Sequence, residues 1–155
     1  MTVREFLTFV ARLKGVSANR IKEAVDKSLT QCFLTGVQNK LCGFLSKGYR
    51  QRVGIAQAIV HDPEVIVLDE PTSGLDPKQI IEIRQLIKSL GVGKTVILST
   101  HILPEVSMVC NKVVIINRGE IVLEQGLKEL EAKKPLEQVF LECLNVGQDV
   151  AAEAV

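Results

Sequence analysis

The sequence predicts an α/β fold with a mostly parallel β-sheet, preceded by a small helical unit. Residues 65–68 are an uncharged run of valine, isoleucine and leucine that ends in two adjacent carboxylates, Asp69 and Glu70. From residue 46 onward, apolar runs typical of strands alternate with amphipathic segments typical of helices, which favours parallel strands joined by helices. The residues before this point carry only helical patterns. The length of 155 residues suits one domain or most of one.

The first third of the chain is predicted to be helical. Thr2 and Glu5 have the spacing of a capping box, and apolar residues at helical spacing continue until Gly15, which is expected to end the helix. A second helix is predicted over residues 17–29. Ser46 stands in an N-cap position before a third helix. The buried stripe predicted for that third helix comprises Val53, Ala56, Ile59 and Val60.

The run at residues 65–69 is predicted to be a strand that is buried on both faces, because it is rich in β-branched residues and uncharged until its end. Asp76 and Pro77 then fit the cap and the first position of an amphipathic helix. A second buried strand is predicted at residues 95–99. Further along, we expect a short helix at 103–109, a hairpin with strands at 113–116 and 121–123, and short helices near 127–132 and 136–144. The tail from Asn145 is predicted to fray.

The composition argues against several classes of partner and site. The net charge is +1, aromatic residues make up 4% of the chain and tryptophan is absent, so we expect no nucleic-acid partner. The four cysteines lack the spacing and the neighbouring histidines of a zinc site. The apolar runs are far shorter than the about 20 residues of a membrane helix, and the N-terminus lacks the apolar region of a signal peptide. We therefore expect a soluble, cytoplasmic protein.

Asp69 and Glu70 are the first candidate site, because open parallel sheets bind ligands beyond the carboxyl ends of their strands. One carboxylate there can hold Mg²⁺, and its neighbour can orient a water molecule. The competing interpretation is a pair of exposed loop acids. His101 follows the second strand, which predicts that it lies at the same edge of the sheet. Its competing interpretation is a structural or merely exposed histidine.

The start of the third helix is the second candidate site. Ser46 and Gly48 would expose backbone N–H groups at the positive end of the helix dipole, where an anion is favoured. The competing interpretation is an ordinary N-cap, with Lys47, Arg50 and Arg52 forming a solvated face.

These motifs together resemble those of the ATP-binding cassette (ABC) ATPases. The segment Leu45-Ser46-Lys47-Gly48-Tyr49-Arg50-Gln51-Arg52 resembles the signature motif of that family. The apolar run ending in Asp69-Glu70 resembles the Walker B motif, Ser73-Gly74-Leu75-Asp76 resembles the D-loop, and His101 matches the switch histidine. The resemblance covers about residues 2–130 and is strongest to ATPase subunits of export or multidrug transporters, in the gliding-motility-like group.

This resemblance implies a truncated P-loop NTPase (ABC ATPase) fold, with a mostly parallel sheet and an N-terminal helical subdomain. It divides the chain into a helical subdomain at residues 1–45, the C-terminal part of the ATPase core at residues 46–130, and a C-terminal helix and flexible tail at residues 131–155. The implied function is ATP binding and hydrolysis that powers transport, with ATP and Mg²⁺ as cofactors. The implied partners are a second ATP-binding subunit, in a homo- or heterodimer, and a transmembrane permease. These partners would hold the chain at the inner face of the cell membrane.

The resemblance also implies roles for the acids and the histidine. Asp69 would help to hold Mg²⁺ through water, and Glu70 would polarise the attacking water. His101 would contact the γ-phosphate of the nucleotide bound by its own subunit. Asp76 would lie at the interface between two ATP-binding subunits.

Ser46, Lys47 and Gly48 would bind the nucleotide held by the opposite subunit, with Ser46 and the Gly48 backbone on its γ-phosphate. The chain departs from the commonest signature motif at two positions, where Lys47 and Tyr49 replace glycine and glutamine. Since Ser46 and Gly48 are retained, we expect a variant of the site that still functions.

A larger departure is the lack of a P-loop (the Walker A motif) and of a Q-loop in these residues. Gly93-Lys94-Thr95 matches the end of a P-loop, but the glycine that should begin the motif is replaced by Lys88. The chain therefore resembles the C-terminal portion of a cassette, which should leave sheet surface uncovered. We expect the chain alone neither to bind ATP tightly nor to hydrolyse it, because the P-loop is the main cradle for the phosphates.

Two other functions fit the same residues. One is an ABC-type ATPase that acts on the ribosome or on DNA without a permease. The other is a non-catalytic regulatory module whose signature motif completes the site of an intact partner.

Overall fold

The computed structural model describes the backbone of residues 1–152 and the side chains of residues 1–144. These residues form two compact units, one comprising Met1–Ser99 and the other beginning at Thr100. Within the described residues, the first unit contains four α-helices and a parallel pair of strands, and the second contains a β-hairpin and three α-helices. The mixture of helices and strands confirms the predicted α/β class.

The first unit begins with three helices that pack against one another, namely α1 (Val3–Leu13), α2 (Ile21–Gln31) and α3 (Lys47–Ile59). The predicted capping box begins α1, since the Glu5 N–H donates to Thr2 Oγ1 at 3.3 Å and the Thr2 N–H donates to Glu5 Oε2 at 2.8 Å. The predicted stop is also confirmed, because Gly15 follows α1 with φ of +77°, a conformation that glycine adopts without strain. The second helix begins later than predicted. Residues Ala18–Arg20 form a 3₁₀ turn first, and Ser17 makes no side-chain capping bond.

Two strands, β1 (Val65–Asp69) and β2 (Thr95–Ser99), form a parallel sheet in the first unit. This arrangement confirms the predicted parallel pairing. The helix α4 (Pro77–Leu90) lies between them in the chain, and α3 packs against β1. The carboxyl ends of both strands therefore meet at one edge of the sheet.

The predicted burial of β1 on both faces is wrong, and so is the predicted burial of β2, none of whose residues is buried. Ile66 and Leu68 are buried, but Val65 and Val67 on the other face are 53% and 67% exposed, and Ile97 of β2 is 52% exposed. Successive side chains of a strand point to opposite faces, so an unbroken apolar run predicts burial of both faces. The described residues pack against only one of them. Uncovered sheet surface, which the resemblance led us to expect, is present in this unit.

The second unit is built around the predicted hairpin. Its elements are α5 (Leu103–Val109), β3 (Lys112–Asn117), β4 (Glu120–Gly126), α6 (Leu127–Glu131) and α7 (Leu136–Ala152). The two strands pair in antiparallel fashion, and Arg118 and Gly119 form the turn with φ of +52° and +84°, as in the tight turns that match strand twist. The buried core of this unit comprises Val106, Val113, Ile115, Leu127, Leu130, Leu136 and Val139.

The last helix extends further than predicted. The sequence predicts an end near residue 144, but the backbone of α7 is helical to Ala152. Residues 145–152 contain no proline and only one glycine, so nothing in their sequence breaks a helix. The remainder of the predicted flexible tail, residues 153–155, lies outside the described residues. The division of the chain at residues 45 and 130 stays a prediction.

A pair of alanine substitutions tests the one-sided burial of β1. Ile66→Ala removes a buried side chain, so we expect it to lower the free energy of unfolding by about 2–5 kcal/mol. Val67→Ala is the control on the same strand; it removes an exposed side chain and should lower this free energy by less than about 1 kcal/mol. Urea unfolding followed by circular dichroism measures both values. Equal losses at the two positions would contradict the one-sided packing.

Candidate functional site

Polar groups cluster where β1 and β2 end. The register of the sheet pairs Asp69 with Ser99, and Ser99 Oγ donates a hydrogen bond to Asp69 Oδ1. The Glu70 N–H donates to the carbonyl oxygen of Ser99 at 3.0 Å and to Ser99 Oγ at 3.4 Å. Asp69 and Glu70 are both exposed. The two carboxylates therefore lie at the sheet edge where parallel sheets bind ligands. Ser99 connects them, because it bonds to the side chain of Asp69 and to the backbone of Glu70.

Glu70 has an unusual backbone conformation. Its φ is +41°, in the left-handed region that costs a residue with a side chain roughly 1–2 kcal/mol. The turn that follows compensates with hydrogen bonds from the Ser73 N–H to the Glu70 carbonyl at 3.1 Å and from the Leu75 N–H to the Thr72 carbonyl at 3.2 Å. Strain of this kind clusters at functional sites. The chain thus leaves the strand direction at the residue that carries the second carboxylate.

A cleft of about 250 Å³, which we call the signature cleft, brings together Ser46, Gly48 and Asp76. Two helices begin in it. Ser46 caps α3 by accepting a hydrogen bond from the Tyr49 N–H at 3.4 Å, and Asp76 caps α4 by accepting one from the Gln79 N–H at 3.0 Å. The positive ends of two helix dipoles therefore meet in one cleft, which favours an anion there.

The side-chain amide of Gln79 lies close to Gly48 in the signature cleft. A Cβ atom added to Gly48 would lie 2.6 Å from Cδ of Gln79 on α4. The same addition to Gly54, further along α3, would meet nothing within 4 Å. Gly48 therefore lets the amide of Gln79 approach the start of α3, and any larger residue would force that amide to move.

Lys47 lies across the turn between β1 and α4. A Cβ atom added to Gly74 would collide with Nζ of Lys47, and Gly74 has φ of +66°, which also favours glycine. The contact joins the start of α3 to the segment that resembles a D-loop. The two motifs, which lie about 30 residues apart in the sequence, are therefore neighbours in the fold.

Arg52 does not belong to a solvated face, so that competing interpretation is wrong for this residue. Its side chain is 12% exposed and forms an ion pair with Glu82 of α4. Its guanidinium also lies 5.7 Å from the centre of the Tyr49 ring and 5.8 Å from that of Phe33, within the range of cation–π attraction. Arg52 thus links α3 to α4 along one wall of the signature cleft.

His101 belongs to the unit that begins at Thr100, and it is exposed. Beside it, the Ile102 N–H donates to Thr100 Oγ1 at 3.1 Å, and Thr100 Oγ1 donates to Glu105 Oε2 at 3.3 Å. Glu105 is 1% exposed. These bonds hold the turn that carries His101. Its place at the same edge as Asp69 and Glu70 stays a prediction.

Two residues that contact the candidates were not predicted from the sequence. Ser99 had a usable signal, since it is the polar residue that ends the second strand and pairs with Asp69 when the strands are aligned by their ends. Gln79 had none, because its contact with Gly48 depends on how α4 packs beside α3.

Comparisons with known proteins cover the segments that carry these residues. A family profile described as "ABC transporter" matches residues 1–73, and one described as "AAA domain, putative AbiEii toxin, Type IV TA system" matches residues 45–108. The uncharacterized ABC transporter ATP-binding protein YxlF of Bacillus subtilis (strain 168) is 39% identical over 134 residues, which are 86% of this chain and 45% of that protein. The ABC transporter ATP-binding protein NatA of the same organism is 35% identical over 151 residues, 95% of this chain and 61% of that protein.

The chain is similar in sequence and fold to the ATP-binding subunits of ABC transporters. A solved structure supports the same similarity. The structure of cbiO1 from Clostridium perfringens, described as part of the ABC transporter complex cbiONQ, matches with a TM-score of 0.76 and 31% identity over 97% of this chain and 61% of that one. The chain thus has the P-loop NTPase fold of ABC ATPases in part, and it spans between 45% and 61% of the length of these relatives.

Two glycine substitutions in α3 test the packing of the signature cleft. Alanine favours a helix over glycine by about 0.5–1 kcal/mol, so Gly54→Ala should raise the free energy of unfolding by about that amount. Gly48→Ala has the same intrinsic advantage but displaces the Gln79 amide, so we expect it to gain less stability than Gly54→Ala. Urea unfolding compares the two variants.

The double variant Gly48→Ala/Gln79→Ala removes the collision. The change in the free energy of unfolding caused by Gly48→Ala is therefore measured twice, once in the wild-type chain and once in the Gln79→Ala variant. We expect this change to be more favourable in the Gln79→Ala variant. Equal gains from Gly48→Ala and Gly54→Ala would show that the amide does not pack against Gly48.

Proposed function

We propose that the chain binds and hydrolyses ATP as part of an ABC transporter, and that hydrolysis drives transport through a membrane permease. The arrangement at the ends of β1 and β2 carries this proposal. There Asp69 accepts a hydrogen bond from Ser99, and the adjacent Glu70 turns out of the strand direction. A pair of carboxylates with different surroundings suits a reaction in which one orients a metal and the other a water molecule.

Glu70 is the proposed general base. It accepts a proton from a water molecule as the water oxygen attacks the γ-phosphorus of ATP, and the bond from that phosphorus to the bridging oxygen breaks to leave ADP and inorganic phosphate. His101 contacts the γ-phosphate of the same nucleotide.

Asp69 and Ser99 fit a magnesium site. Mg²⁺ prefers oxygen ligands and is usually bound by one or two carboxylates together with water and substrate phosphates. Asp69 supplies an exposed carboxylate, directly or through water, and Ser99 supplies the hydroxyl beside it. When bound, the ion neutralises charge that develops on the phosphates.

The signature cleft serves the nucleotide of a second ATP-binding subunit. Ser46, the Gly48 backbone and the ammonium group of Lys47 contact its γ-phosphate, and Asp76 lies at the interface between the subunits. The two helix starts that meet in the cleft support this assignment, because their partial positive charges favour a phosphate.

A permease is the proposed membrane partner. The solved relative cbiO1 is described as part of a transporter complex, and among the described residues no helix is long and apolar enough to cross a membrane. The chain would therefore be held at the inner face of the cell membrane by its partner.

Phosphate release by the assembly of this chain, an ATP-binding subunit with a P-loop, and the permease tests the role of Glu70. Glu70→Gln should lower the rate by about 100-fold or more, because the amide cannot accept the proton. Glu64→Gln is the matched control, since it removes a charge from the residue that precedes β1, at the end of the strand opposite Glu70, and it should leave the rate unchanged.

A third variant separates the alternatives. If Ser46→Ala lowers the rate while Glu70→Gln has no effect, the chain is a non-catalytic module that completes its partner's site. A rate that neither variant changes would contradict both functions.

Affinity capture from detergent-solubilised cells tests the partner. We expect the chain to retain a polytopic membrane protein in stoichiometric amount, because an ATPase of this family needs a permease to drive transport. Gradient sedimentation of the same lysate provides the comparison. Co-sedimentation with ribosomes, without a membrane protein, would favour the ATPase that acts without a permease.

A further inference from the structure

A second cleft lies in the unit Met1–Ser99, where the end of α1, the start of α2 and the turn after α3 meet. Its volume is about 250 Å³, and its lining includes Lys14, Arg20, Lys27, His61 and Asp62. We call it the basic cleft. None of these residues was assigned a role by the sequence motifs.

Positive charge predominates among the side chains that face the basic cleft. Lys14, Arg20 and Lys27 line it together with two carboxylates, those of Glu23 and Asp62. Two ammonium groups offset the negative charge of Asp62, because its Oδ1 atom accepts hydrogen bonds from Lys27 Nζ at 3.3 Å and from Lys94 Nζ at 2.7 Å. These bonds hold the pKa of Asp62 below its usual range, with the Lys94 bond contributing most.

His61 reports the same positive surroundings. Its Nδ1 atom is buried and has no hydrogen-bond partner among the described residues, so protonation would bury an unpaired N–H donor. The pKa of His61 is lowered by this burial first and then by Lys14 and Lys94, while Asp62 opposes the effect. The positive charges around the ring thus outweigh the one carboxylate beside it.

We propose that the basic cleft binds a small phosphate dianion through Lys14, Arg20 and Lys27. The guanidinium of Arg20 can donate two parallel hydrogen bonds to phosphate oxygens, and the two ammonium groups add charge at points around it. The volume limits the ligand, since pockets for larger molecules measure roughly 300–1,000 Å³. The ligand that we propose is therefore small, namely inorganic phosphate or a small phosphate monoester.

Nuclear magnetic resonance of the purified chain tests this proposal, with the His61 ring resonances as the reporter. Inorganic phosphate and glycerol 3-phosphate are titrated separately at constant ionic strength, and acetate is the carboxylate comparison. We expect the His61 resonances to saturate with a dissociation constant on the order of 1 mM for one or both phosphates, and the pKa of His61 to rise when the anion is bound. The relative affinities show whether the cleft prefers inorganic phosphate or a phosphate monoester.

Substitutions decide whether the named residues hold the anion. Lys14→Gln and Arg20→Gln should each weaken binding by about tenfold, because each removes a charge-assisted hydrogen bond. Lys22→Gln is the control, since Lys22 is an exposed residue of α2 that does not line the cleft. Circular dichroism confirms that each variant is folded.

Three results would overturn the proposal. They are a His61 signal that does not move with phosphate, binding that is equal in Lys14→Gln, Arg20→Gln and the Lys22→Gln control, and binding of acetate as tight as that of phosphate. The test needs neither ATP nor a partner subunit, so its outcome is independent of the proposed ATPase function.

Discussion

The parallel pairing of β1 with β2 is the constraint on which the candidate site depends. One register both buries Ile66 and Leu68 and sets Asp69 opposite Ser99. Because side chains alternate along a strand, a shift of one residue would bring the other set of side chains to the packed face. It would also separate the Ser99 hydroxyl from the carboxylate that accepts its hydrogen bond. The hydrogen bonds between β1 and β2 therefore fix both the burial of Ile66 and Leu68 and the placement of Asp69 beside Ser99.

The turn after β1 carries this constraint to the signature cleft. Glu70 adopts positive φ, Gly74 adopts positive φ four residues later, and Asp76 then caps α4. The path of the turn sets where α4 begins, and the start of α4 sets where Gln79 meets Gly48 of α3. Arg52 adds an ion pair between the same two helices. The strand end and the helix starts are thus connected through short-range contacts within one unit.

Much of the local structure could be predicted from the sequence because its causes are local. The caps formed by Thr2, Ser46 and Asp76 depend on residues within three positions of each cap. Turn residues and apolar runs likewise predict the hairpin and the second strand. The exposure of Val67 could not be predicted, since an apolar run says nothing about whether another element covers each face. The Gly48–Gln79 contact was equally hidden, because it arises from the packing of two helices.

The two departures from the common signature motif are accommodated by different neighbours. Lys47 has room beside the turn after β1 because Gly74 has no side chain. The positive φ of Gly74 also makes any larger residue unfavourable at position 74. Tyr49 packs its ring near the guanidinium of Arg52, which is itself anchored to Glu82. Neither change disturbs the Ser46 cap or the Gly48 contact, so the groups that face the signature cleft keep their positions. A lysine at this position also adds a positive charge beside two helix starts that already favour an anion. The ammonium group of Lys47 lies beside Gly74, outside the lining of the signature cleft, and the absence of a side chain at Gly74 makes room for it.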